Sequence, residues 1–395
     1  MRIKNLIYAS IIVVLLGSCT QESGVTVIVT NSTNVERTHE IVSVPLGALQ
    51  KHSLDLSGTL VAENLGNGLF FPVQLSKGKD SDTATVALFQ PEIAANSSAE
   101  FLLRNLKPGE AAPDEEIVCY SRFVPERIDD YAWENDRVAF RVYGPEAQRL
   151  TEAGDPGGTL SSGVDCWLKK VDYPIINKWY KKPSEGGTYH EDTGEGLDNY
   201  HVGSSRGSGG TMVFDEKTGK TYAAKNYIKW HKIEDGILRG DFKLEYAPYA
   251  AGNDTVTETK YISIDKGSNL TRFEVTVEGT DAITVGITLH EKKKKISADE
   301  NAAWFNFDDK AYFGSELNNA VVVDPKYVTG YEEYIVNQPE KSHLLIHMKP
   351  IDGKIIYYAG FFWEKSKQFA STDEWEKYLN DFAVQITKPL EVTIK

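Results

Sequence analysis

From Val25 onward the chain is a succession of short apolar-alternating runs, each closed by glycine, asparagine or aspartate, and that punctuation leaves few folds open. The first runs are Val25–Thr30, Glu40–Pro45, Thr59–Glu63, Leu69–Leu75, Thr83–Leu88 and Ala99–Leu106. Turns are supplied by the stretches 31–34 (NSTN), 66–68 (GNG) and 78–80 (GKD). The spacing predicts a small antiparallel β-sandwich of immunoglobulin-like size over residues 20–106, read as a support module. Lys107–Asp114, with two prolines and a glycine, predicts a linker. Beyond it, over 115–395, the runs are Arg137–Tyr143, Gly210–Phe214, Arg239–Tyr246, Thr255–Ile264, Thr271–Glu278, Thr284–His290 and Ile355–Phe362. Asp215–Gly219, Asp265–Gly267 and Asp352–Gly353 read as hairpin turns. Long antiparallel strands without alternating helices predict an all-β chain whose second unit is a large two-sheet sandwich, not a parallel α/β fold. One helix is expected near the end: Ser371 with Glu374 fits a capping box, and Trp375, Tyr378, Leu379 and Phe382 fall on one core-facing stripe.

Two features bear on class. At 395 residues the chain has room for two domains, and a net charge of −14 argues against nucleic acid as a partner. At the start, Arg2 and Lys4 precede a short apolar core, Leu6–Leu16, and the residues 16–19 (LGSC) have the form of a bacterial lipobox. Residues 1–19 are therefore expected to be a lipoprotein signal. Cys19 would be the lipidated N-terminus, with palmitate-type acyl chains anchoring the protein in the cell envelope, on either the periplasmic or the surface side of the outer membrane. Residues 20–24 would be a tether. Cys119 and Cys166 remain; a disulfide between them rests on count alone.

The densest chemistry lies in Tyr189–Gly210 (YHEDTGEGLDNYHVGSSRGSGG), too glycine-rich for a helix or an uninterrupted strand. It carries His190, His201, Tyr189, Tyr200 and Arg206. The plain alternative is a solvated polar loop between strands. Within it, Asp192, Gly194, Gly196 and Asp198 could wrap Ca²⁺, although the regular alternation of aspartates ending in glycine is missing. The segment 122–141 (RFVPERIDDYAWENDRVAFR) interleaves Arg122, Arg127, Arg137 and Arg141 with Asp129, Asp130, Glu134 and Asp136 around Tyr131 and Trp133. It reads either as a structural ion-pair network or as a sugar-binding wall, with arginine clamping a carboxylate and Trp133 stacking on a ring. Trp167, Lys169, Trp179 and Tyr180 stand in similar company. His343 and His347 would share a strand face, which leaves a metal pair open. His290, at a strand end, is a further acid–base candidate or a packing residue. The Lys292–Lys295 run reads as a solvated loop. No nucleophile elbow, zinc-protease helix or phosphate-cradling loop is found.

The segments PERIDDYAWENDRVAFRVYGP, DCWLKKVDYPIINKWY, YHEDTGEGLDNYHVG and YYAGFFWEKSKQFASTDEWEKYL resemble those of a family of Bacteroidota lipoproteins of undefined function, encoded in polysaccharide-utilisation gene clusters. The resemblance spans the chain from about Val25. It implies a mutarotase-like β-sandwich acting on carbohydrate, and its likeness to ulvan oligosaccharide dehydratases implies formation of a 4,5-unsaturated, non-reducing terminal uronate. The SSRGSGG stretch departs from the family pattern, which leaves the role of Arg206 open.

Elimination at a uronate needs a cation on the carboxylate, a base for the C5 proton and an acid for the group leaving C4. Arg127 or Arg137 would neutralise, with Trp133, Asp198 and Arg206 in the binding surface. His190 and Tyr200 would be the acid–base pair, His201 and Tyr189 the alternates. The expected activity is a carbon–oxygen lyase without a metal, acting on a uronate-containing oligosaccharide. Two rivals stand beside it. One is a non-catalytic glycan-binding lipoprotein; the other is a glycosidase using two opposed carboxylates such as Glu134 and Asp192.

Overall fold

The computed structural model describes residues 24–52, 54–114, 116–290, 294–312 and 314–395. The Met1–Cys19 leader with its lipobox, and residues 20–23 of the tether, lie outside the described residues. No helix among the described residues is long and apolar enough to cross a membrane.

The chain is built from antiparallel sheets with few helices. In the N-terminal unit, alternation in Val25–Asn31 sends Val25, Val27 and Val29 inward to meet Phe101 and Leu103 from Ser97–Asn105. A second sheet of three strands, Val42–Pro45, Val86–Phe89 and Gln74–Ser76, closes this core with Val44, Ala87 and Phe89. Leu69–Leu75 is not one strand. Phe70–Pro72 ends the first sheet and Gln74–Ser76 belongs to the second. Pro72 has no N–H to give a further neighbour, so it suits the sheet edge where the chain crosses over. The strand Glu391–Ile394 pairs with Val25–Asn31, so the last residues complete the N-terminal sheet although the division at 106/115 assigns them to the second unit.

In the second unit, Tyr227–Glu234, Arg239–Tyr246, Asp254–Asp265, Leu270–Glu278, Lys354–Trp363, Ser315–Val323, Trp304–Tyr312 and Lys294–Asp299 follow one another across one large sheet. Lys294 and Lys295 thus open a strand instead of lying in a loop; Lys292 is outside the described residues. The facing layer consists of two five-stranded sheets, joined by the parallel bridge of Val164 to Gly207. One contains Asp130–Glu134, Ala139–Val142 and Asp165–Lys169; the other contains Ser208–Asp215, Ile283–Thr288 and His343–Met348. Aromatic side chains fill the space between layers: Trp133 lies 5.2 Å from Phe242, and Phe140 meets Phe361 edge-on at 5.4 Å. The predicted hairpin turns at Asp215–Gly219, Asp265–Gly267 and Asp352–Gly353 all connect paired strands or a bridge.

The helix Thr372–Thr387 packs Trp375, Leu379 and Phe382 on the outer side of the large sheet, against Leu270, Val322 and Phe362. Ser371 caps it, its hydroxyl accepting from Glu374 N at 3.3 Å while the Glu374 carboxylate takes Ala370 N at 2.7 Å. Cys119 and Cys166 are buried free thiols, so the disulfide does not form; Cys166 Sγ instead lies 3.5 Å from Asn319 Oδ1.

Candidate functional site

Three strands of the facing layer set the site through their alternation. Tyr131, Trp133, Phe140, Val142, Cys166 and Leu168 enter the core between the layers. The intervening residues Asp130, Ala132, Glu134, Ala139, Arg141, Asp165, Trp167 and Lys169 therefore occupy the other face. The segment from about 175 to 200 covers that face, packing Ile176, Trp179, Tyr180 and Tyr189 on Ala132, Ala139 and Trp167.

Antiparallel register places Arg141 opposite Ala132 on one side and Asp165 on the other. Its guanidinium donates Nε to Asp165 Oδ2 at 2.9 Å, and Nη2 lies 2.9 Å from Asp198 Oδ2. Asp130 Oδ2 is 3.6 Å from Nη1 and accepts the Tyr180 hydroxyl at 3.1 Å. All three carboxylates are buried. One guanidinium cannot balance three carboxylates at low dielectric, so burial pushes Asp130 up to about 6 and Asp165 well above the carboxylate range. The cluster thus retains a proton in a range where exposed aspartates have lost theirs. Asp130 Oδ1, Asp165 Oδ1 and Arg141 Nη1 make no hydrogen bond among the described residues.

Arg127 reaches the edge of this cluster from the turn Pro125–Arg127. Its Nε donates to the Tyr189 hydroxyl at 3.2 Å. The following Ile128 and Asp129 both have left-handed backbones, φ 47° and 63°. That conformation is unfavourable for a β-branched residue and is held here between Arg127 and Asp130, both of which serve the cluster.

The His- and Gly-rich segment closes over the same face. Asp198 N bonds Tyr189 O at 2.9 Å, which folds His190 onto Asp198. His190 Nδ1 is 2.6 Å from the Asp198 carbonyl and 3.8 Å from its Oδ2. A carbonyl only accepts, so Nδ1 carries the hydrogen and Nε2 is left as the acceptor. The side chain is 57% exposed. Gly196 is required for this closure: at φ 106° a Cβ there would lie 2.0 Å from the Leu168 carbonyl oxygen.

Further along, Tyr200 is buried, with its ring edge-on to His290 at 4.8 Å. Burial raises its pKa well above that of an ordinary tyrosine, and Cys166, Tyr312 and Asp165 add to the shift. Tyr200 Oη makes no hydrogen bond of ordinary geometry, although the Thr288 hydroxyl is near enough to oppose the shift slightly. His290 Nε2 bonds the His201 carbonyl at 2.6 Å, and burial brings this imidazole down to about 4. His201 itself is 57% exposed, its Nε2 3.2 Å from Glu340 Oε1.

The structure therefore gathers His190, Asp198, Arg127 and Tyr189 beside Arg141, whereas Tyr200, expected as half of the acid–base pair, is turned into the core between the layers with its hydroxyl buried. Other expected members lie elsewhere. Trp133 is fully buried, stacked on Phe140 at 5.4 Å with Nε1 donating to Thr271, so it is a core filler and not a sugar platform. Arg137 bonds Asn269 and lies 5.4 Å from the Phe369 ring, away from the cluster; packing near the C-terminal helix occupies it. Glu134 accepts from Lys169 and from Ile175 N and Ile176 N, each at 2.9 Å, and is inaccessible as a glycosidase carboxylate. Asp192 takes Lys170, Gly194 N and Gly196 N while Asp198 turns inward, so the calcium wrap is not assembled. His343 and His347 each bond separate partners, and the described residues contain no group of three metal-ligating side chains. Arg206 is buried beside a separate cavity. A cleft of about 570 Å³ between the two units is remote from this chemistry, and its Arg37 and Arg239 are engaged by Glu40 and Asp265. Sequence reasoning placed Asp130 and Arg141 only within the ion-pair segment 122–141 and did not name Asp165 as a site residue; Arg141 and Asp165 meet through strand register.

Residues 29–392 match the sequence family described as "Domain of unknown function (DUF4861)". "Uncharacterized protein P7" of Formosa agariphila is 41% identical over 384 residues, covering 96% of each chain. Among solved structures, a protein in the Glycosyl Hydrolase Family 38 from Enterococcus faecalis superposes with a TM-score of 0.48 at 10% identity, over 95% of this chain and 48% of that one. An α-mannosidase from the same organism gives 0.47 at 9% identity, over 95% and 46%. This chain spans about half the length of each of those two.

Proposed function

We propose, for a chain that belongs to the DUF4861 family, an acid–base elimination on an oligosaccharide ending in a uronic acid. The observation that carries the reading is His190. Its Nδ1 is fixed on the Asp198 carbonyl, its Nε2 is free to accept a proton, and Arg127 stands nearby at the rim of a buried carboxylate cluster. In this reading Arg127 faces the sugar carboxylate and stabilises the charge that builds on it as C5 loses its proton. His190 Nε2 takes that proton. The electron pair forms the C4–C5 double bond as the C4–O bond breaks, and the departing oxygen is protonated by His201, whose side chain stands exposed further along the same loop. Tyr200 is not that acid: its hydroxyl is buried in the core between the layers, and burial holds the proton more tightly than in an ordinary tyrosine. Water as the leaving group makes the reaction a dehydration giving a 4,5-unsaturated uronate; a sugar as the leaving group makes it a lyase. Ulvan-type glycans are the substrate class that the resemblance of the sequence motifs suggests. The Met1–Cys19 leader is read as placing the enzyme on an envelope membrane through an acylated Cys19; Cys19→Ala should abolish labelling by palmitate.

Ultraviolet absorbance of the conjugated uronate, followed with mass spectrometry on uronate-terminated oligosaccharides, tests the reaction. Rising absorbance with a product lighter by one water is the expected outcome. A flat trace across such substrates with binding retained overturns it and leaves a glycan-binding protein.

A further inference from the structure

Arg206 differs from the other buried arginines of this protein. Arg37 has Glu40, Arg104 has Glu63 and Glu110, and Arg141 has its aspartates. Arg206 has no carboxylate within ion-pair distance among the described residues. Its guanidinium donates instead to neutral oxygens: Ser162 Oγ at 2.7 Å, Ser161 Oγ at 3.3 Å and the carbonyl of Ser204 at 3.2 Å. Glu258 acts on it from a distance, but Tyr249 and Lys260 already engage that carboxylate. Burial brings Arg206 down only to about 10, so the group is cationic at neutral pH.

A buried cation without a counter-charge is costly, and folded proteins keep one where something else supplies the charge. The site is also shaped for it. Gly286 lets the arginine stem lie flat on its strand, where a Cβ would come within 2.9 Å of Arg206 Cγ. The guanidinium borders a cavity of about 650 Å³, with Lys341, Asn337, Gln338, Ser204 and Tyr334 in its wall. Lys341 is exposed and its ammonium has no ion pair among the described residues. His343 adds no charge, because burial and Arg206 lower it to about 3 and its Nε2 accepts from Arg206 N. The cavity is thus a pocket with one buried cation and one exposed cation among otherwise neutral wall residues, the amides of Asn337 and Gln338 included. It adjoins the exposed His201–Glu340 pair through the neighbouring Lys341.

We propose that this cavity is an oxyanion subsite that takes a sulfate ester or carboxylate carried by the ligand, Arg206 supplying the buried charge and Lys341 closing over it. The subsite stands on the uncompensated cation. That its anion belongs to a second sugar of the same oligosaccharide rests on the proposed function.

Isothermal titration of the full chain with methyl sulfate and with sodium acetate, against sodium chloride at equal ionic strength, tests it without turnover. Saturable heat from either anion above the chloride control is expected, and which of the two gives it identifies the group. Lys341→Glu reverses an exposed charge without disturbing the core and should weaken binding roughly tenfold. Arg206→Gln keeps an amide for the serine hydroxyls; it should fold at least as stably as the native protein and lose the anion. Absence of saturable binding in the native chain, or unchanged binding in Lys341→Glu, overturns the subsite. A chain that binds methyl sulfate yet shows no absorbance change on uronates overturns only the elimination.

Discussion

Two ion systems lie side by side on one face of the same strands and differ in kind. Lys169 and Glu134 form a fully buried pair at 2.9 Å, with Ile175 N and Ile176 N on the carboxylate and the Asn135 carbonyl on the ammonium at 2.6 Å. Charge is balanced and the partners are complete. A few ångströms of sheet away, Arg141 faces Asp130, Asp165 and Asp198, with surplus negative charge and polar atoms left without hydrogen bonds. A complete buried pair fixes geometry, here the start of the helix Ile176–Lys181 on the sheet. An incomplete one keeps proton affinity and electrostatic potential in reserve, which is what reactive sites need. The His190 loop closes over the second system.

The largest effect expected is at the loop. His190→Gln keeps a polar group for the Asp198 carbonyl but removes the ring nitrogen proposed to take the C5 proton. It should lower turnover on uronate-terminated oligosaccharides by about 10²- to 10⁴-fold, with stability changed by no more than about 0.5 kcal/mol, since the side chain is mostly exposed. Equal loss of activity and of the urea midpoint would instead make His190 structural.

The balanced pair should show the reverse pattern. Glu134→Ala leaves Lys169 as a buried, unpaired cation and frees the Ile175 and Ile176 amides, so denaturant unfolding should show a loss of about 3–5 kcal/mol. Activity per folded molecule should change far less than in His190→Gln. If Glu134→Ala proved neutral, the contrast between the two systems would collapse.

The surplus charge should also appear in the pH dependence of stability. Asp130 has a folded pKa of about 6 against an ordinary 3.8, so the native state holds a proton that the unfolded chain releases. Its contribution is fully present below about pH 4 and is lost as pH rises through about 6, on the order of 3 kcal/mol over that window. Asp130→Asn keeps an acceptor for Tyr180 and should flatten this part of the profile, measured by urea unfolding at closely spaced pH values. An unchanged slope would show that the proton resides elsewhere.

Trp133 and Trp167 show how far the sequence could be read. Both stand among arginines, lysines and carboxylates, and by local company they are indistinguishable. In the structure they enter opposite faces: Trp133 joins the core between the layers, and Trp167 stacks with Trp179 and Tyr189 at 5.3 Å each under the loop. Alternation normally separates faces because one is polar. Here Asp130–Glu134, Ala139–Val142 and Asp165–Lys169 are buried along their whole length, so polarity gives no sign of which side meets the core. Hairpin turns and the Ser371 cap were legible because their chemistry is local. Asp130, Arg141 and Asp165 were not, since they meet only through strand register and Asp198 joins them from a distant loop.

The smallest effect expected probes the junction between the loop and the cluster. Tyr189 takes part in both, with its ring stacked on Trp167 and its hydroxyl accepting from Arg127 Nε. Tyr189→Phe preserves the ring and removes one hydrogen bond to a guanidinium, at a cost of about 1 kcal/mol to whatever that bond positions. If Arg127 holds the sugar carboxylate in both ground and transition states, the loss should appear as a KM raised about fivefold with kcat nearly unchanged, because uniform binding is what weakens. If the arginine acts mainly on charge developing at the carboxylate, kcat should fall by a similar factor instead. Steady-state kinetics on one uronate-terminated substrate separates these outcomes. No change in either constant would detach Arg127 from the substrate and leave the hydrogen bond as a support for the strained Ile128–Asp129 turn.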